Sequence, residues 1–181
     1  WFEVMPEQLG DDILLSATWE SGAGANHMIE GLPAVHHLIR FEKQGEKMRV
    51  LRPNLKFRAA DAQNVRQVGM VAGSTADHPF ALLEIKALPH PDRKSFLLSL
   101  DDFLKCDILG HANDLSNFLK AEYSLQADHS YYTMLKSFET NTEVGVMQSF
   151  ASSKRKRGWS HLEDPAHVQL SVRYSLSALP E

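Results

Sequence analysis

The chain has 181 residues, 43% of them hydrophobic, with 19 basic against 23 acidic side chains and a net charge of −4. That balance lacks the basic excess of a nucleic-acid-binding domain, and no apolar run approaches the ~20 residues of a membrane-spanning helix. A lone cysteine, Cys106, excludes an internal disulfide and any multi-cysteine zinc site.

In chain order, residues 1–4 read as a strand. Ile13, Leu15, Ala17 and Trp19 alternate with Leu14, Ser16, Thr18 and Glu20, which puts the apolar set on one face of a second strand. A Gly-containing loop over 21–33 follows. Val35, Ile39 and Phe41 share a face with His37, and Gln44-Gly45 marks a hairpin to Met48 and Val50. Leu55, Phe57 and Ala59 alternate with Lys56 and Arg58, a further strand pattern. Asp61 predicts the cap of a helix over 62–72, closed by Gly73. After a second loop at 73–79, segment 80–88 is apolar almost throughout, as in a central strand.

His90-Pro91-Asp92 predicts a turn into the strand Phe96, Leu98 and Leu100. Ser99 and Asp102 have capping-box spacing ahead of Phe103, Leu104 and Ile108, with Gly110 as the stop. Asn113 or Asp114 would cap a turn carrying Leu115, Phe118 and Leu119. Tyr131, Leu135 and Phe138 fall at helical spacing. Val144, Val146 and Phe150 lie on one face of a strand. The strongest pattern closes the chain: Val168, Leu170, Val172, Tyr174, Leu176 and Ala178 alternate with His167, Gln169, Ser171, Arg173, Ser175 and Ser177. The sum is an α+β fold, mainly antiparallel β-sheet with about three or four short helices, in a single domain over 1–181. It begins at Trp1 already in a strand and stops at Leu179-Pro180-Glu181, and both ends read as cut from a longer protein.

Candidate chemistry is thin. The nine histidines include no HExxH, the helical pair with adjacent glutamate that a zinc protease uses. His36 and His37 are neighbours on a strand and point to opposite faces. His27 with Glu30, and His161 with Glu163 and Asp164, lie in loops. No G-x-S-x-G elbow supports a serine hydrolase, and Cys106 in a short helix pattern reads as a small buried hydrophobe rather than a nucleophile. Gly22-Ala23-Gly24-Ala25 resembles half of a phosphate loop, but His27 stands where the third glycine belongs. The basic run Lys154-Arg155-Lys156-Arg157 before Trp159 reads as a solvated loop between strands. Asp11-Asp12 and Asp101-Asp102 open elements and serve as turn or cap residues. No catalytic, cofactor-binding or metal-ligating residue is assigned.

Several segments together are similar to a known family. They are Met5 to Leu15, Val35 to Phe41, Arg49-Val50-Leu51-Arg52-Pro53-Asn54 and Ser99-Leu100-Asp101-Asp102-Phe103-Leu104. Lys136 to Val144 and Val172-Arg173-Tyr174-Ser175-Leu176, ending Leu179-Pro180-Glu181, complete the set. In this order they resemble the N-terminal domain of unknown function of large secreted bacterial zinc-dependent metalloproteases. Residues 69–79 are shorter and more polar than that family's pattern, and the loop 153–158 is particular to this chain. The resemblance implies an exported, periplasmic or secreted parent whose HExxH domain, with its zinc and general base, lies beyond Glu181. It also implies that the partner is the catalytic domain of the same polypeptide, with a peptide substrate. A stand-alone envelope module that binds a glycan or peptide, with Trp1, Trp19 and Trp159 as platforms, is the alternative.

Overall fold

A computed structural model of the chain describes residues 1–23, 28–153 and 164–179. Gly24, Ala25 and His27, the run Lys154–Arg157 with Trp159, and His161, Glu163, Pro180 and Glu181 lie outside the described residues. The strands are β1 (Phe2–Val4), β2 (Asp12–Ser21), β3 (Pro33–Gln44), β4 (Lys47–Arg52), β5 (His78–Glu84) and β6 (Phe96–Leu98), then β7 (Ser124–Leu125), β8 (Tyr131–Ser137), β9 (Asn141–Ala151) and β10 (His167–Ala178). Two α-helices, α1 (Val65–Ser74) and α2 (His111–Leu119), stand with short 3-10 turns and one π-helical turn, Asp101–Lys105. The fold is mainly antiparallel β-sheet with short helices. No described helix is long and apolar enough to cross a membrane.

The chain divides into two compact units. The first comprises Trp1–Phe2, Ile13–His37 and Ser99–Glu181. In it β10 lies between β2 and β9, antiparallel to both, and β7 and β8 both pair with β9 on its other side. Register lines up one apolar face: Ala17 opposite Tyr174, Trp19 opposite Val172, Val146 opposite Val172, and Phe150 opposite Val168. All of these are buried. Each such side chain taken from water contributes about 1.5–3 kcal/mol, so the alternation in β10 alone supplies a large part of this core. Phe103 and Leu104 of the π turn, and His111, Leu115 and Leu119 of α2, are buried as well. The three α2 residues repeat every four positions, the spacing that keeps a stripe on one side of a helix.

The second unit comprises Glu3–Asp12 and Leu38–Leu98. Here β4 lies between β5 and the last part of β3. Gly45, at φ +61°, turns β3 into β4, with Gln44 opposite Lys47; a two-residue hairpin needs that left-handed backbone. Val4, Ile39, Phe41, Met48, Val50, Leu51, Leu83, Phe96 and Leu98 are its buried apolar residues, each 8% exposed or less. Arg40 donates from Nε and Nη2 to Asp12 Oδ1 at 2.9 and 2.7 Å, so Asp12 ties the incoming chain to β3. The chain turns back at His90-Pro91-Asp92 as the sequence predicts, with the His90 N–H donating to the Ser95 carbonyl at 3.0 Å and Ile85 bridging Leu98.

Four local expectations are corrected. Residues 55–59 form no strand: Pro53 ends β4, and Leu55 and Phe57 are exposed. Segment 80–88 is no central strand: its residues 80–84 belong to the terminal strand β5, and only Leu83 of the segment is buried. The helix predicted from Asp61 starts later, with Asn64 as its cap, accepting from the Gln67 N–H. Tyr131, Leu135 and Phe138 lie in and just after β8 rather than on a helix; all three are more than half exposed, so no buried helical face unites them.

Candidate functional site

Titratable side chains gather around α2 in the first unit. Asp107 accepts from the backbone N–H groups of His111 and Ala112 at 2.7 and 2.9 Å, and so caps α2 from outside it. Neither Asn113 nor Asp114, the caps expected from sequence, takes that role. The cap aims His111 into the core, where it is 2% exposed and its ring lies 4.5 Å from the Trp19 ring. Gln148 links the cluster: its Nε2 donates to the Cys106 carbonyl at 3.0 Å, which leaves Oε1 to accept from His111 Nδ1 at 2.8 Å. With that orientation the proton on Nδ1 is the one that His111 donates to Gln148. Burial lowers the His111 pKa from its ordinary value of 6.5, although Gln148, Asp107 and Asp114 pull it the other way.

Burial pushes the Cys106 thiol up, and its S–H reaches the carbonyls of Phe103 and Asp102. Tyr132 donates to Asp101 Oδ1 at 2.5 Å, and Lys105 pairs with Asp101 Oδ2 at 2.8 Å. Hydrogen bonding by Lys105 first, and by Tyr132 second, holds the Asp101 carboxyl below its usual range. These groups brace the π turn and α2 against the sheet. Sequence reasoning singles out neither His111 nor Gln148; the repeat of His111 with Leu115 and Leu119 is the one signal that points inward.

Cys106 and Asp101 stand in this cluster, with Trp19 against His111; the other sequence-nominated residues among those described do not. His36 is exposed and shares a hydrogen bond with Ser16 Oγ at 3.0 Å, while His37 is half-buried. Trp19 is in the core, whereas Trp1 is 73% exposed. Among the described residues, no three His, Cys, Asp or Glu side chains are grouped as metal ligands.

The second unit offers a surface. β5 ends its sheet, hydrogen-bonded to β4 on one side. Pro79, which lacks an N–H, is tolerated there because an edge strand need not donate on both sides. Beside it runs a groove of about 280 Å³ lined by Gln44, Arg49, Pro79, Phe80, Ala81 and Leu82. Leu82 is 57% exposed, and the Arg49 guanidinium stands 3.9 Å from Glu42. A lining of both polar (Gln44, Arg49) and apolar (Pro79, Phe80, Ala81, Leu82) residues beside a strand edge suits an extended segment laid along it.

No curated protein and no solved structure matches this chain. The model of one family, described as a domain of unknown function, DUF5117, matches residues 32–181, a span that includes α2, Gln148, β5 and the groove. The chain therefore belongs to the DUF5117 family.

Proposed function

We propose that this chain is a non-catalytic accessory domain of an exported zinc-dependent metalloprotease, packed beside the catalytic domain of the same polypeptide and shaping its substrate cleft. The observation that carries the reading is the terminal strand β5 with its adjoining groove, a place for backbone pairing with an extended substrate segment. The titratable cluster around His111 supports it from the other side, because its members are engaged in bracing α2 and the π turn. The resemblance to the metalloprotease N-terminal domain supplies the protease itself, and most of the segments that carry it fall within the family match over 32–181. Zinc would belong to the neighbouring catalytic domain; the residues described here offer no ligand set for it, and no step is routed through it.

Sequencing the gene on both sides of the segment tests the reading. An export signal upstream and an HExxH-encoding stretch downstream of Glu181 are the expected result. A stop codon soon after Glu181 would overturn it.

A further inference from the structure

Helix α1 carries its apolar stripe on the outside. Val65, Val68 and Ala72 repeat at i, i+3 and i+7, a spacing that lines one side of a helix and is normally buried. Here Val65 is 84% exposed and Val68 41%; Met70, on another side of the helix, is 64% exposed, and no residue of α1 is buried. The approach to the helix continues the pattern, with Leu55 and Phe57 each about half exposed. A helix of 10 residues is shorter than the roughly 12–15 that hold together alone in water. Gly69, Gly73 and three valines lower its propensity further.

Charge on this segment is one-sided. Between Arg52 and Ser74 stand Arg52, Lys56, Arg58 and Arg66 against Asp61 alone, in a chain of net charge −4. Lys56, Arg58 and Arg66 enter no ion pair among the described residues. Exposed apolar side chains interleaved with uncompensated cations call for an apolar surface rimmed by anions. Composition decides between protein and lipid. Lipid-surface helices are rich in Lys and Arg on the polar face and carry Trp, Phe or Leu on the apolar one. α1 has Arg66 as its one cation and none of those three apolar residues, which favours a protein groove.

We propose that residues 55–72 are a docking surface for a protein groove that is apolar at its centre and rimmed by carboxylates. Resting on the accessory-domain reading, that groove belongs to the catalytic domain of the same polypeptide. Val65, Val68 and Ala72 would be the anchors of a helix-in-groove contact, with Arg58 and Arg66 on the rim.

Hydrogen exchange, measured in parallel on this chain and on the full natural polypeptide, tests it. The expected result is exchange at least tenfold slower over 55–72 in the longer polypeptide. The double variants V65D/V68D and R58E/R66E should lose that protection while keeping the circular dichroism of the parent, since all four positions are exposed. Protection elsewhere on the chain but not over 55–72 overturns this surface and leaves the accessory reading standing. No protection anywhere, or a natural polypeptide without a further domain, overturns both. Co-sedimentation with phosphatidylglycerol vesicles that V65D/V68D abolishes assigns the face to lipid and overturns the proposal. Concentration-dependent self-association that the same variant abolishes assigns it to a second copy and also overturns it.

Discussion

A Cβ on Gly145 would lie 2.4 Å from Thr133 Oγ1 and 3.2 Å from the Met134 backbone nitrogen, and one on Gly22 would lie 1.9 Å from the Met28 carbonyl oxygen. Both glycines are therefore required by a close approach, not by backbone angle. A Cβ on Gly69 meets nothing within 4 Å, so there glycine only costs helix propensity. Urea denaturation should show G145A losing about 1–3 kcal/mol, whereas G69A should gain about 0.5–1 kcal/mol. Equal effects at the two sites would refute the packing argument. Tyr174 presents a different case, because its hydroxyl is fully buried and makes no hydrogen bond of normal geometry among the described residues, although the Gln148 side chain lies near enough to interact with it. Tyr174→Phe removes an unpaired polar atom and should cost no stability; a loss above about 1 kcal/mol would reveal a partner in solution. His111 sets a pH dependence. Its folded pKa is lowered by burial, so below about 6.5 the unfolded chain binds a proton that the folded chain refuses. Stability is then complete above that pH and falls as pH drops from 6.5 toward the lowered value. His111→Asn, whose side-chain N–H can still meet Gln148, should flatten this slope in urea titrations between pH 7 and pH 5.

Asp107 is the clearest example of an element made by one side chain. Gly110 at φ +80° turns the chain into α2 and Lys120 at φ +54° ends it, while Asp107 satisfies two N–H groups that the helix start leaves without partners. Asp107→Ala should cost about 1–2 kcal/mol and speed amide exchange in the first turn of α2, with β9 and β10 unchanged. The same helix shows why boundaries were harder to read than elements. Asn113 and Asp114 are good cap residues, but the cap is set by which carboxylate the preceding loop delivers, and the Ser99-to-Gly110 stretch gives no measure of that path. β2, β9 and β10 were legible because alternation is enforced by a buried face. β8 was not: a bulge between Tyr132 and Met134 breaks its alternation, and its exposed Tyr131 and Leu135 then fall by chance at helical spacing. Residues 55–59 mislead for a related reason. Alternation is what a half-buried strand needs, yet nothing in a sequence guarantees that a neighbouring strand is there to pair with it.

Across the whole chain, what one-dimensional pattern could not supply was the side on which apolar residues end. Segments 65–72 and 80–88 have the composition of core, yet the described fold leaves Val65, Val68, Met70, Leu82 and Leu88 exposed; the candidate surfaces arise from that mismatch. Burial is a property of all the elements together, so it appears only once they are placed. The same contrast predicts a wide spread of local stability. β10 is paired on both sides, and its register with β9 is unbroken from His167 opposite Ala151 to Ser177 opposite Asn141. β9 is likewise flanked, by β10 on one side and by β7 and β8 on the other. Opening either strand exposes Val146, Phe150, Leu170, Val172 and Tyr174, all 1% exposed or less, so their amides can exchange only when most of the fold opens. α1 has no buried residue to lose, and its hydrogen bonds open without exposing any core. Native-state exchange on this chain alone should therefore find the central amides of β9 and β10 protected to nearly the global unfolding energy and those of α1 close to unprotected. Protection of α1 on a par with β10 would mean that its valines already have a covering surface within this chain, and the docking role of residues 55–72 would fall with it.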